Sequence, residues 1–503
     1  MTGDSMGGQA GSRAYLSAAQ VDRAAGVLLG AAVGDALGAG YEFGVARLGV
    51  NDHPAMIGGG LGGFAPGEWT DDTAQTWAVA EVAASGADLR TEAALDAVAR
   101  RIAEWFAGNP PDVGNQTAAV LRAAGRSPSA AALREAATGL HRRTGHTAGN
   151  GSLMRTSAVA LAHLGDPEAI VAAAHAVSAL THADARAGEA CALWCLAIDH
   201  AVRHGELDVR AGLGWLPAEA REFWQARLDE AEARDPATFT PNGYVVTALQ
   251  AAWSAIHHTP VPCAPFTCVQ VGDALSTAIH IGNDTDTIAS IAGALLGARW
   301  GASAFPAEWR RVVHGWPGRT SEQLVDLALL TVNGGPDRQG WPGCARVDYT
   351  GMAGHDSFAV HPHDKGVLLS GAASLDALPD GVTAVVSLCR VGVGQVPAGV
   401  KAVSFRLMDT DAADNPNLTF VLDDAARTVK ALREDGATVL LHCVAAHSRT
   451  PTVAARYSML LGVPLDRALE DVCAALPAAR PNPALVQGLR ALADHARMGA
   501  GDE

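Results

Sequence analysis

Thr70-Asp71-Asp72-Thr73 and Asp284-Thr285-Asp286-Thr287 each pack two carboxylates and two hydroxyls into four residues, more than two hundred positions apart. Such hard oxygen donors suit Mg²⁺, Mn²⁺ or Ca²⁺. Each cluster runs directly into apolar, small-residue sequence, Ala74–Ala80 after the first and Ile288–Gly297 after the second. Carboxylates at the mouth of such stretches are costly to bury unless something positive compensates them. Asp also serves as a helix N-cap, and that reading explains either cluster alone. The simplest account of both is a fold that brings them together around metal.

Further motifs share this region: Gly34-Asp35-Ala36-Leu37-Gly38 followed by Glu42, then Pro111-Asp112-Val113-Gly114-Asn115, then Gly149-Asn150-Gly151-Ser152-Leu153-Met154-Arg155. The last suits a diphosphate, because glycines permit close backbone approach and a following helix supplies N–H donors. Arg155 reads equally as a buried structural ion pair or as a ligand. A separate signal lies far downstream, where Val439–Cys443 leads to Arg449 six residues after the cysteine, between an expected strand and an expected helix. Backbone N–H groups around such a loop stabilise both a thiolate and a phosphate dianion, and an arginine fork can clamp two phosphate oxygens.

The elements that must position these groups change character along the chain. Residues 17–335 are helical in pattern nearly throughout, with expected helices at Leu89–Phe106, Ala130–His141, Pro167–Leu180 and Ala183–His204. The breaker run Asn333–Arg338 marks a boundary, 336–350 reads as a linker, and 351–500 reads as an α/β domain. Its expected strands are Gly366–Ser370, Thr383–Leu388, Lys401–Phe405 and Ala437–His442, with a helix at Thr452–Leu461. The fold class is thus multidomain, an all-α domain followed by a smaller α/β domain. Residues 1–16 read as a disordered tail without the apolar core of a signal peptide.

A chain of 503 residues with 18% charged residues is globular and multidomain, and its net charge of −16 argues against general nucleic-acid or anionic-membrane binding. Its eight cysteines show no zinc spacing, which points to a reduced, cytoplasmic protein. Apolar runs such as Val27–Val33 end at charged residues too early for a membrane span.

Taken together and in this order, the motifs of the first domain resemble the ADP-ribosylglycohydrolase family, including the hydrolase that reactivates ADP-ribosylated dinitrogen reductase. The resemblance implies an all-α fold, two divalent metal ions (Mg²⁺ or Mn²⁺), and hydrolysis of the bond between the ribose anomeric carbon and a modified protein or small molecule. It implies that Thr70, Asp71, Asp72, Asp284, Asp286 and Thr287 hold metal and that Glu42 lies near it. It also places Asp112 in an Asp-Val-Gly-Asn loop, Gly149, Asn150, Gly151 and Ser152 at the ligand, and His182 beside it. The base stays open among Glu42, Asp72 and Asp112.

The downstream loop resembles that of dual-specificity protein phosphatases. This implies Cys443 as nucleophile, Arg449 as phosphate clamp and Asp409 as general acid, with Asp411 its substitute, acting on a phosphorylated substrate. The sequence departs from that family at Ala446, where glycine is usual. A different class of function is a non-catalytic ADP-ribose or nucleotide sensor whose second domain binds partners; intact acidic clusters favour the enzyme.

Overall fold

From Ser17, whose capping box with Gln20 starts it, the chain folds into the helix Ala18–Gly38. The computed structural model describes residues 16–499, so the expected tail lies outside the described residues except for Leu16. This first helix is buried on nearly every side, as a helix apolar all round must be. Gly26, Gly30, Gly34 and Gly38 fall four apart on one stripe, facing Gly297, Gly293, Ala289 and Asp286 of the helix Thr285–Trp300. A methyl group on any of the four would collide with the backbone opposite, so the two helices touch main chain to main chain. The stretch Ala18–Gly44 is in fact long and apolar enough to cross a bilayer, with a mean hydropathy of 1.3. The apolar run does not end at Val33 as expected, because Asp22 and Asp35 interrupt it without ending the helix, whose most apolar stretch is buried inside the protein.

Around this pair the remaining helices run to Ser321–Asn333, and the expected segments form Glu92–Ala107, Ala130–Thr144, Pro167–Ser178 and Ala185–His204. One hairpin interrupts them, strand β1 (His314–Gly315) against β2 (Arg319–Thr320), too short to leave a sequence period. Their apolar faces share one continuous core.

Residues 334–357 contain neither helix nor strand. Five strands then make a sheet: β3 (Phe358–Val360), β4 (Val367–Ser370), β5 (Ala384–Ser387), β6 (Lys401–Ser404) and β7 (Val439–His442), in the order β3-β4-β7-β5-β6. All pairings are parallel except β3 with β4. β5 and β7 are buried along their whole length, which explains their unbroken apolar runs. β3 escapes the sequence because three largely exposed residues carry no pattern. The helices Leu418–Glu434, Arg449–Leu460, Leu465–Ala475 and Pro483–Gly499 complete this part, which has its own core.

Candidate active site

The two acidic clusters meet at the start of two helices, Asp71–Ala84 and Thr285–Trp300, and neither makes a side-chain cap. Elsewhere Thr91, Ser129, Asp166 and Asp184 do cap their helices, so the capping explanation fails where the acids are densest. A different helix supplies the cap. Asp35 accepts from Thr70 N–H at 2.9 Å, from Thr73 N–H at 3.0 Å and from the Thr73 hydroxyl at 2.6 Å. That frees the clusters' own carboxylates to face inward. The Thr70 hydroxyl lies 3.3 Å from both Asp72 and Asp286, and the Thr287 hydroxyl donates to Asp72 at 3.2 Å. Glu42 arrives on the turn Ala39–Gly44, fixed by Phe43 N–H donating to Asn283 O at 2.7 Å. One carboxylate oxygen each of Glu42, Asp284 and Asp286 then lie within 4.8 Å of one another.

This arrangement leaves several acceptors unmatched. Glu42 Oε2, Asp72 Oδ1 and Asp286 Oδ1 are buried with no hydrogen-bond partner, and Thr70 has one proton for two carboxylates. Burial first, and neighbouring carboxylates second, push Asp71, Asp72 and Asp286 well above the usual carboxylate range. Burial, with Asp112, Asp284 and Asp35 adding to it, raises Glu42 to about 8, and burial raises Asp35 to about 6. Oxygen donors of this kind fit a hard divalent ion.

The other expected residues gather around the cluster in different roles. Asp71 accepts from Gln75 at 3.0 Å, and Gln75 accepts from the fully buried Arg155 at 2.7 Å. Arg155 also donates to Thr181 at 2.6 Å, and Thr181 lies 2.7 Å from His182 Nδ1. We assign the Thr181 proton to Nδ1 on this network, which leaves Nε2–H facing Gly149 and Gly151. Burial, with Arg155 adding to it, lowers His182 to about 3, so the ring is neutral. Asn150 does not face outward from the glycine loop: its amide donates to Asp284 at 2.7 Å and to Asn242 O at 3.2 Å. Ser152 is engaged too, its hydroxyl accepting from Ser178 at 2.9 Å, so both side chains are bonded within the protein.

Asp112 is half-buried, raised by burial, and close enough to act electrostatically on Glu42 and Asp71. Beside it opens a cleft of about 360 Å³ lined by Trp69, Trp105, Trp316, Phe64, Glu68, Asp71 and Asp112. A larger depression of about 570 Å³, lined by Glu81, Asp88, Arg101 and Glu104, includes none of the acidic cluster.

The downstream cysteine sits where expected, directly after β7, and the helix Arg449–Leu460 follows its loop. Ala446 has φ +55°, the left-handed conformation that explains the usual glycine there. Arg449 Nη1 donates to two main-chain carbonyls, Leu388 O at 2.7 Å and Leu407 O at 3.2 Å, while its Nε and the Thr450 hydroxyl are buried without partners. Asp409 and Asp411 are exposed on the loop that contains Leu407.

A family model described as ADP-ribosylglycohydrolase matches residues 16–338. The chain belongs to the ADP-ribosylglycohydrolase family. It is 30% identical over 319 residues to the ADP-ribosyl-[dinitrogen reductase] glycohydrolase of Rhodospirillum rubrum, covering 62% of this chain and 97% of that one. It is 26% identical to the ADP-ribosylarginine hydrolase Tri1 of Serratia proteamaculans (strain 568), covering 58% of this chain and 74% of that one. Among solved structures it is similar to an ADP-ribosylglycohydrolase-related protein complex (TM-score 0.45, 26% identity, 63% of this chain and 98% of that one). A second similar structure is human DUSP28 (TM-score 0.24, 27% identity, 27% of this chain and 90% of that one). The family match ends at residue 338, before the sheet begins.

Within the ADP-ribosylglycohydrolase domain, several residues at the site carried no assigned role in the sequence. Asp35 had a signal, a carboxylate inside the apolar run of residues 24–38. Gln75, Thr181 and Asn242 had none, since uncharged polar residues in helices and turns are ordinary. Trp69 and Trp105, which line the cleft, are largely buried.

Proposed function

We propose that this member of the family releases ADP-ribose from modified arginine on a protein, with two divalent cations, Mg²⁺ or Mn²⁺. Glu42, Thr70, Asp71, Asp72, Asp284, Asp286 and Thr287 would hold them. The observation that carries this reading is the set of buried, partnerless carboxylate oxygens at the meeting of the two clusters. The cations would orient the ribose hydroxyls and polarise water. The chain's own carboxylates stabilise the positive charge that grows on the ribose as the leaving group departs. Gly149, Gly151 and the His182 Nε2–H face the diphosphate, and Asp112 or Glu42 takes the proton of the attacking water. Arginine is favoured by the cleft beside Asp112, which brings Glu68, Asp71 and Asp112 among its lining residues with no Lys or Arg. Aromatic faces and carboxylates together suit a planar cation. The relative from Serratia is named for the same linkage. Release should be metal-dependent and faster from arginine-linked than serine-linked ADP-ribose. No release from either, with Mg²⁺ or Mn²⁺ present, would falsify the reading and favour a sensor.

A second reading concerns the C-terminal part, which we propose is a cysteine-dependent phosphatase domain. The partnerless Arg449 Nε and Thr450 hydroxyl, beside a loop already left-handed at Ala446, are donors prepared for an anion. The Cys443 thiolate would attack phosphorus, the ester oxygen would leave with a proton from Asp409, and water would then release phosphate and restore the thiol. Aryl phosphate hydrolysis by the full chain, compared with Cys443→Ser, tests it; equal rates in the two proteins would sink it.

A further inference from the structure

Residues 405–417, between β6 and the helix Leu418–Glu434, carry Asp409, contain no helix or strand, and are fastened to the glycohydrolase domain at both ends. At the start, Arg406 Nη2 donates to Ala18 O at 3.1 Å and its Nε lies 3.5 Å from Asp22 Oδ1. Asp22 is itself held by Ser303, through N–H at 3.2 Å and the hydroxyl at 2.5 Å. At the end, Asn417 donates to Trp300 O at 2.6 Å and to Ser303 Oγ at 2.8 Å. One serine of the helical part therefore joins both ends of the segment, donating to Asp22 and accepting from Asn417.

Between those anchors Asn415 closes the segment on itself. It accepts from Met408 N–H at 2.8 Å and donates to Met408 O at 3.1 Å and Asp411 O at 2.9 Å. Leu407, next to the anchored Arg406, presents the carbonyl that receives Arg449 at 3.2 Å. The Asp22 side chain is 2% exposed and that of Arg406 24%, so removing either leaves a poorly solvated charge without its partner. A segment with no regular structure of its own has its geometry set by these bonds.

We infer that Asp22 and Ser303 of the glycohydrolase domain are positioning residues for the cysteine site, fixing the loop that carries Asp409 and, through the Leu407 carbonyl, the Arg449 guanidinium. The inference rests on reading the C-terminal part as a phosphatase, and its test has an arm that does not. In the full chain, Asp22→Asn and Ser303→Ala should each speed amide hydrogen exchange across 406–417 at least about tenfold, leaving β4 and β7 unchanged. In the same proteins kcat for an aryl phosphate should fall about tenfold, the range expected when an outer partner of a site is removed. ADP-ribose release should stay within about twofold, since neither residue touches that site. Unchanged exchange in both variants overturns the inference, as does exchange that rises equally across the first helix and the sheet, which would mean global loosening. A wild-type chain inactive on aryl phosphate counts against the phosphatase reading alone, and exchange then decides the positioning role.

Discussion

The acidic cluster and the cysteine loop contain unmatched buried atoms of opposite kinds. Around Glu42, Asp72 and Asp286 the protein has buried acceptors that nothing donates to; around Arg449 and Thr450 it has buried donors that nothing accepts from. Burial with no compensating partner is expensive in both cases. The unmatched atoms differ in kind, carboxylate oxygens in one place and donors in the other. On the readings proposed above, the first set would meet a cation and the second an anion.

The sharpest way to break this contrast is a crossed pair of variants. Cys443→Ser should abolish aryl phosphate hydrolysis, by roughly 10⁴-fold or more as for other lost nucleophiles, and spare ADP-ribose release. Asp286→Asn should cut ADP-ribose release by about 10²–10³-fold and spare the phosphatase. If either variant removed both activities, the sites would not be separate. A smaller effect is expected at Asp35, which orders the first cluster without belonging to it. Asp35→Asn should weaken Mg²⁺ or Mn²⁺ binding about 10–100-fold by calorimetric titration, and undiminished affinity would refute its orienting role.

The contrast also has a pH signature. Carboxyls raised in the folded state lose their protons later than in the unfolded chain. Metal-free stability should therefore fall as pH rises from the ordinary carboxylate value near 4 through about 6 for Asp35 and about 8 for Glu42. Chelation should lower Tm more at about pH 8 than at about pH 5.5 by scanning calorimetry, while hundredfold metal over Kd restores about 2.7 kcal/mol. Equal losses at both pH values would remove the role assigned to the buried charges. The smallest change is at the cysteine loop, where Ala446→Gly relieves a left-handed alanine. Denaturant unfolding should show a gain of at most about 1 kcal/mol, the difference between the strain relieved and the backbone entropy added.

The meeting of the clusters was legible in the sequence because Asp71, Asp72, Asp284 and Asp286 stand where carboxylates have a physical cost. The long helices and the strands β4 to β7 were legible by period and boundary residues. Asp35 was visible as an anomaly but not as a cap, because the N–H groups it receives belong to Thr70 and Thr73 and only tertiary closure brings them near. The glycine loop was recognised, yet the directions of Asn150 and Ser152 were not, since a three-residue helical turn fixes no face in advance. The glycine expected at position 446 pointed to a conformation, and Ala446 adopts it at a cost. What sequence period cannot supply is a bond between distant loops, such as Asn417 to Trp300.

The glycine stripe of the first helix has one further consequence. Its upper end, Gly38, lies against Asp286 of the acidic cluster; at its lower end, Asp22 meets the loop of the C-terminal part. With backbone on backbone along its length, the pair has no side-chain layer to absorb a change in spacing. The gentlest substitution in the genetic repertoire, glycine to alanine, is here a wedge. Driven in at Gly30 or Gly34, it would be felt at both ends of the shaft.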